Sequence, residues 1–108
     1  MLAGPTSQGN GMPPPPRQLD GADVLYWATS RQGRFHTIPH GADPDAFDVI
    51  SVAAMAVCRY PDGGPYYLFK CDRDWEVVFD WDADGIGEAQ AIASQHVVSE
   101  TIEWHAAV

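Results

Sequence analysis

YYLFKCDRDWEVVFDWDADGIGEAQAIASQHVV, residues 66–98, is the stretch that decides the fold. Aromatic and β-branched residues fill 66–71 and 75–81, and the short polar run 72–74 separates them, which is typical of two antiparallel strands joined by a turn. Apolar residues then recur near helical spacing over residues 86–97. The stretch therefore predicts a β-hairpin that leads directly into an α-helix.

Two segments upstream supply the rest of the sheet. Residues 23–29 (DVLYWAT) read as a strand, and residues 34–38 (RFHTI) read as its returning partner in an N-terminal hairpin. Residues 46–60 (AFDVISVAAMAVCRY) fit a helix by their alanines and a strand by their clustered β-branched residues and the following PDGGP turn. We interpret residues 49–60 as a strand.

Turn positions predict which side of the sheet the helix covers. Turns centred on Gly63 and Arg73 sort alternate side chains of three strands onto one largely apolar side. That side comprises Met55, Val57, Arg59, Tyr67, Phe69, Cys71, Trp75, Val77 and Phe79. We expect the helix to lie over Val57, Phe69 and Val77, because its alanine-rich face allows a close approach.

These elements predict an α+β fold. It is an antiparallel β-meander of about five strands, including an N-terminal hairpin, with one C-terminal α-helix packed on one face. Residues 1–20 are rich in Pro, Gly, Ser and Gln and predict a disordered tail, so residues 21–108 form a single small domain. Within the tail, prolines 13–16 favour the polyproline II conformation.

The charge is strongly negative and concentrated towards the end of the chain. The net charge is −9, and residues 72–108 hold nine acidic residues against a single arginine. This disfavours nucleic acid and anionic membranes as partners and favours a basic protein or a metal ion. The chain has no long apolar run, no signal-peptide pattern and only two cysteines, so we expect a cytoplasmic protein.

The run DWDADG (residues 80–85) admits two interpretations. It matches the first half of a calcium loop, with carboxylates at positions 1, 3 and 5, but Ala91 stands where that loop needs a bidentate glutamate. As a helix start, Asp84 or Gly85 is the cap and Glu88 is the capping-box partner. We favour the helix start. The alternative is a cation site formed by Asp80, Asp82, Asp84 and Glu88.

No set of residues predicts catalysis or a cofactor. His36, His40 and Cys58 do not have the spacing of a standard zinc site. Cys58 and Cys71 lie on opposite pleats in the expected register, so they are interpreted as buried thiols without a disulfide. His96, on the helix, is expected to be half-buried and sensitive to pH. We therefore predict a protein that is not an enzyme.

The surface is the remaining source of function. Tryptophans and tyrosines exceed what one small core needs, and aromatic side chains ringed by acids are typical of a face that binds a basic protein. The expected partner-binding residues are Tyr66, Glu76, Asp80, Trp81, Asp82 and Asp84. This predicts a non-enzymatic inhibitor-type protein that occludes a basic partner. The alternatives are a cation-dependent regulator and a homodimeric structural subunit. The homodimer would pair through the uncovered sheet side, Ala54, Ala56, Leu68 and Val78.

Residues 67–77, YLFKCDRDWEV, carry the pattern Y-L-F-x-C-D-x-D-W-E-V. The chain over 49–104 resembles short, acidic, uncharacterised bacterial proteins with such a meander and a capped C-terminal helix. It is also similar in size and charge to the small immunity proteins that neutralise bacterial toxins. The resemblance implies the sheet–helix unit, a bacterial origin and an immunity role, and it brings no active residues with it. The run 80–85 and the long N-terminal tail depart from the pattern.

Overall fold

One antiparallel sheet and one helix form the described part of this computed structural model, which comprises residues 12–35, 52–97 and 100–107. The elements are β1 (Gln18–Leu19), β2 (Ala22–Thr29), β3 (Ala54–Arg59), β4 (Tyr66–Cys71), β5 (Val77–Ala83), α1 (Ile86–His96) and β6 (His105–Ala106). The predicted α+β class, a meander with a C-terminal helix packed against it, is confirmed. None of the described residues belongs to a helix with the length and apolar character that a bilayer crossing requires.

The strand order is β1-β2-β3-β4-β5, and β6 also pairs with β2. An N-terminal hairpin is present, but β1 and β2 form it through a turn at Asp20 and Gly21, which both have positive φ. Residues 34 and 35, the described part of the predicted second strand, do not pair with β2, because β3 occupies one edge of that strand and β1 and β6 occupy the other. Phe35 instead bridges Val52, and residues 36–38 lie outside the described residues.

The register between β3 and β4 differs by one residue from the predicted one. Val57 lies opposite Leu68, whereas the turn centred on Gly63 would have paired it with Phe69. The connection spans six residues, 60–65, and both Gly63 and Gly64 adopt positive φ, at 100° and 91°. Because side chains alternate across a sheet, this slip places Phe69 on the side opposite Val57.

The register between β4 and β5 is shifted as well. Lys70 lies opposite Phe79 and Cys71 opposite Val77, so the strand pair contains an irregularity of the bulge type at Val78. Val77 packs with Phe69 on the side away from α1. The prediction that the helix covers Val57, Phe69 and Val77 together is therefore wrong for the last two.

The helix-side core lies beneath α1, which crosses β4 with β3 and β5 on either side. Ala89 and Ala93 are fully buried in this contact, because their small side chains let the helix lie close to the sheet. Trp104 is half-buried and packs against the same cluster, so it folds back towards the helix side. The buried members of the cluster are Phe35, Val52, Met55, Val57, Leu68, Ala83, Ala89, Ala93 and Val97.

The other side of the sheet is also covered. Its buried cluster contains Met12, Leu19, Ala22, Val24, Ala53, Ala54, Ala56, Cys58, Phe69, Cys71 and Trp75. Met12 and Leu19, near the end of the predicted tail, are only 6% and 5% exposed, so these two side chains pack on the sheet. The predicted uncovered dimer side is wrong, because Ala54 and Ala56 are fully buried here and Leu68 faces the helix. Residues 1–11 of the predicted tail lie outside the described residues.

Candidate functional site

The edge strand β5, at one end of the described sheet, presents apolar and acidic side chains along its length. Val78 and Trp81 are 41% and 38% exposed and are the exposed large hydrophobic side chains of the described residues. Asp80 and Asp82 are exposed on the same strand. These four residues, Val78, Asp80, Trp81 and Asp82, are called the β5 edge below. They form the candidate site, because apolar anchors beside like charges suit a protein partner of opposite charge.

The predicted binding residues on β5 point to two sides of the sheet. Asp80 lies opposite Phe69 and Asp82 opposite Tyr67, which places both carboxylates on the side away from α1. The Trp81 ring meets the His96 ring edge-on at 5.6 Å, on the helix side. The β5 edge is thus a ridge with acids on one flank and an indole on the other, where the sequence predicted a single face.

The other three predicted residues flank this ridge. Tyr66 is half-buried against the helix-side core, with the Arg59 guanidinium 4.7 Å from the centre of its ring. Glu76 precedes the strand and Asp84 follows it. Glu76 and Asp84 are eight residues apart, and extended chain of eight residues spans about 26 Å, so one small contact does not include both carboxylates. Asp80, Trp81 and Asp82 are neighbours on β5, with the indole on the opposite side of the sheet from the two carboxylates, and Glu76 lies outside the strand.

Residues 80–83 of the candidate calcium loop belong to a strand and do not form a loop. Asp80 and Asp82 lie inside β5 in extended conformation, where a calcium loop would need to fold around the ion. The Asp84 backbone N–H donates to Glu88 Oε1 at 2.6 Å, so Glu88 serves the start of the helix as its capping partner. The N-cap residue itself is Gly85 and has no side-chain cap bond.

No other metal site emerges from the residues that the structure describes, in which no group of three or more His, Cys, Asp or Glu side chains is arranged to hold an ion. His36 and His40 lie outside those residues.

A buried pair of nitrogen bases lies next to the β5 edge. Lys70 Nζ is 3.0 Å from His96 Nδ1, and the two residues are 4% and 6% exposed. The ammonium also lies 4.9 Å from the centre of the Phe79 ring. Burial lowers the pKa of Lys70 to about 8. The predicted register had placed Lys70 on the uncovered side, and His96 is buried where it was expected to be half-buried.

The two cysteines are free and buried. They belong to one cluster on the side away from α1, so the prediction of opposite pleats is wrong. Cys71 lies opposite Ala54, four positions along β3 from Cys58. Burial raises the pKa of Cys71 to about 12 and raises that of Cys58 as well. Thiols held neutral in this way are poor nucleophiles.

A carboxylate that sequence reasoning missed ties the C-terminal segment to the end of β2. Ser30 is fully buried, and its hydroxyl donates to Glu100 Oε2 at 2.6 Å. The Arg31 backbone N–H donates to Glu100 Oε1 at 2.9 Å, and the Arg31 guanidinium pairs with Glu103. These contacts span about seventy residues of sequence, so no local pattern predicts them.

Comparisons with protein-family models, curated proteins and solved structures gave no match.

Proposed function

We propose that this chain is a non-enzymatic binding protein that occludes a basic protein partner, as immunity and inhibitor proteins do. The observation that supports this proposal is the β5 edge, where Val78 and Trp81 are exposed on the same strand as the exposed acids Asp80 and Asp82. Apolar side chains supply contact area in such interfaces, and the carboxylates accelerate encounter with a positive surface.

The proposed partner presents a groove that receives the ridge. Cationic side chains on one wall would meet Asp80 and Asp82, and an apolar pocket on the other would take the Trp81 indole. A nuclease or another nucleic-acid-binding protein has surface charge of the required sign, since it must attract phosphates. The net charge of −9 adds long-range attraction for such a protein. We also propose a cytoplasmic location, and the two free thiols are compatible with such a reducing compartment.

The test compares two triple variants that change the net charge equally. The edge variant carries Asp80→Asn, Asp82→Asn and Asp84→Asn. The control carries Asp20→Asn, Asp62→Asn and Asp74→Asn, three exposed acids taken from three separate turns. A partner captured from the native host is purified, and its association rate with each variant is measured at 50 and 150 mM NaCl.

The edge variant is expected to associate roughly tenfold more slowly at low salt and to show a flatter salt dependence, whereas the control changes less. Trp81→Ala is expected to speed dissociation instead, because it removes contact area and no charge. Equal slowing in both triple variants would show that only net charge matters. A captured partner with an acidic surface would refute the proposal.

A further inference from the structure

On the side of the sheet away from α1, two tryptophans form a right-angled pair beside the proline segment (residues 13–16). The ring centres of Trp27 and Trp75 are 6.1 Å apart and their planes meet at 82°. The indole N–H of Trp75 donates to the Pro13 carbonyl oxygen at 3.0 Å. An aromatic surface with an N–H donor aimed at a carbonyl of consecutive prolines is the chemistry by which grooves recognise polyproline II segments.

The loop before β5 is built to hold the Trp75 indole in this place. Trp75 has φ of +63°, a backbone conformation that is uncommon for a residue other than glycine. The backbone N–H of Trp75 donates to the Asp72 carbonyl oxygen at 3.1 Å. The Asp72 carboxylate accepts from the backbone N–H groups of Asp74 and Glu76 at 2.8 and 3.0 Å. Three hydrogen bonds to one residue therefore maintain a conformation that the chain would otherwise leave.

The proline segment is buried at its ends and mostly exposed in the middle. Met12 before it and Leu19 after it are buried, whereas Pro13, Pro14 and Pro16 are exposed. Pro14 to Pro16 and Trp27 line a common cavity of about 310 Å³, so the prolines leave space beside the Trp27 ring, whose centre is 4.6 Å from that of the His105 ring. A segment seated in this way can be replaced by one that fits more closely.

We propose that the Trp27–Trp75 surface is a binding site for proline-rich segments of other proteins in the polyproline II conformation. The chain's own residues 13–16 occupy the site intramolecularly as a displaceable competitor. The segment now in place ends in Arg17, and a basic flank in the partner also suits a chain of net charge −9. The partner is thus a protein with several consecutive prolines next to a basic residue. This site does not depend on the β5 edge.

The test uses the full chain with ¹⁵N-labelled tryptophan, so that each indole N–H is followed separately by NMR. The probe is a peptide with the sequence GMPPPPRQ, that of residues 11–18, and GMSSSSRQ is the control peptide. The peptide is titrated into the wild type and into a variant in which the competitor is weakened by Pro13→Ser, Pro14→Ser, Pro15→Ser and Pro16→Ser. We expect a saturable shift of the Trp75 indole signal, with an apparent Kd about tenfold tighter in the variant, because less of its surface is already occupied.

Two tryptophan substitutions in the variant chain give matched controls. Trp75→Phe, followed through the indole signal of Trp27, is expected to weaken peptide binding at least about tenfold, since an aromatic ring remains and the indole N–H donor is lost. Trp104→Phe, in the cluster on the helix side, is expected to leave the Kd unchanged. Equal effects of both substitutions, or equal binding of the serine peptide, would overturn the proposal.

A folded serine variant without a saturable Trp75 shift would also overturn the proposal, since the surface would then serve only its own segment. So would light scattering that shows a peptide-sensitive dimer, because a second copy's segment would be the occupant. If the serine variant does not fold, the wild type decides: absence of a Trp75 shift at millimolar peptide refutes the site.

Discussion

Lys70 Nζ and His96 Nδ1 are 3.0 Å apart beneath the only helix in the described residues, and neither residue is more than 6% exposed. While Lys70 carries its proton it can only donate, so His96 must accept through an unprotonated Nδ1. The pair therefore couples the protonation of a strand residue to that of a helix residue across the core.

The buried lysine makes stability depend on pH in the alkaline range. The pKa of Lys70 falls from 10.5 in the unfolded chain to about 8 in the folded one. Between these values the unfolded state binds the additional proton, so the free energy of unfolding rises with pH; below about pH 8 the folded state bears the full penalty of the buried charge. Relative to Lys70→Met, the wild type is expected to gain about 3 kcal/mol between pH 7.5 and 10.5.

Urea unfolding of both proteins across that range measures this difference. The cysteine thiols act in the opposite sense, because their raised pKa values make the folded state retain protons above about pH 9. Their contribution is common to both proteins and cancels in the comparison. Parallel pH profiles for wild type and Lys70→Met would contradict the prediction.

Both cysteines are expected to resist thiol reagents in the native protein. At a pKa of about 12, Cys71 has roughly a thousandth of the thiolate that an ordinary cysteine has at the same pH, and Cys58 is as deeply buried. Labelling with a disulfide reagent at pH 8 should proceed only as fast as the protein opens, and both thiols should react within seconds in guanidinium. Rapid labelling of one thiol in the native protein would reveal a local opening beside it.

Glu100 is expected to contribute more to stability than its neighbour Glu103. Glu100→Ala leaves the buried Ser30 hydroxyl and the Arg31 N–H without their acceptor, which should cost about 2–3 kcal/mol. Glu103→Ala breaks an ion pair whose side chains are both 61% exposed and should cost at most about 1 kcal/mol. Chemical unfolding of the two variants gives the comparison. Equal losses would show that the charge of the segment, rather than the buried contact, holds it in place.

Asp72 and Asp74 provide a second pair with different expected outcomes. Asp72→Ala removes the acceptor of two backbone N–H groups and frees Trp75 from its positive φ, so a loss of about 2 kcal/mol is expected. The Asp74 side chain is exposed, and Asp74→Ala should stay within about 0.5 kcal/mol of the wild type. Thermal unfolding measures both. A small loss for Asp72→Ala would mean that the loop keeps its shape without the carboxylate.

The fold class could be predicted from the sequence because three signals in residues 66–97 indicate the same hairpin and helix. They are the spacing of the apolar residues, the turn residues and the helix start. The assignment of side chains to the two sides of the sheet could not be predicted, because both sides are buried. Leu68 and Phe69 are adjacent, and each is covered by a different cluster. Alternation of apolar and polar residues then does not distinguish the two sides of the sheet. Two consecutive glycines and a bulge at Val78 therefore change the register without changing the hydrophobic pattern.

Exposure at the candidate site was predicted better than its geometry. Asp80, Trp81 and Asp82 are all exposed as expected, since acids in a short strand near a helix start seldom become buried. Their division between two sides of the sheet depends on the register and was missed for that reason. The contacts of Lys70 with His96 and of Trp75 with Pro13 join residues far apart in sequence, and their partners have no local signature.

Two short strands cover the edge of β2 that faces away from β3. β1 immediately precedes β2 in the chain, and β6 lies about eighty residues after it. Each is only two residues long, with an adjoining backbone bond from Val24 N–H to the Arg17 carbonyl and from Ala107 N–H to the Leu25 carbonyl. Proteolytic trimming at either end would uncover a length of Val-Leu-Tyr-Trp backbone suited to pairing with another molecule. During purification and storage, proteolysis is therefore expected to be a greater cause of aggregation than moderate heating, because the cleaved chains expose the edge of β2.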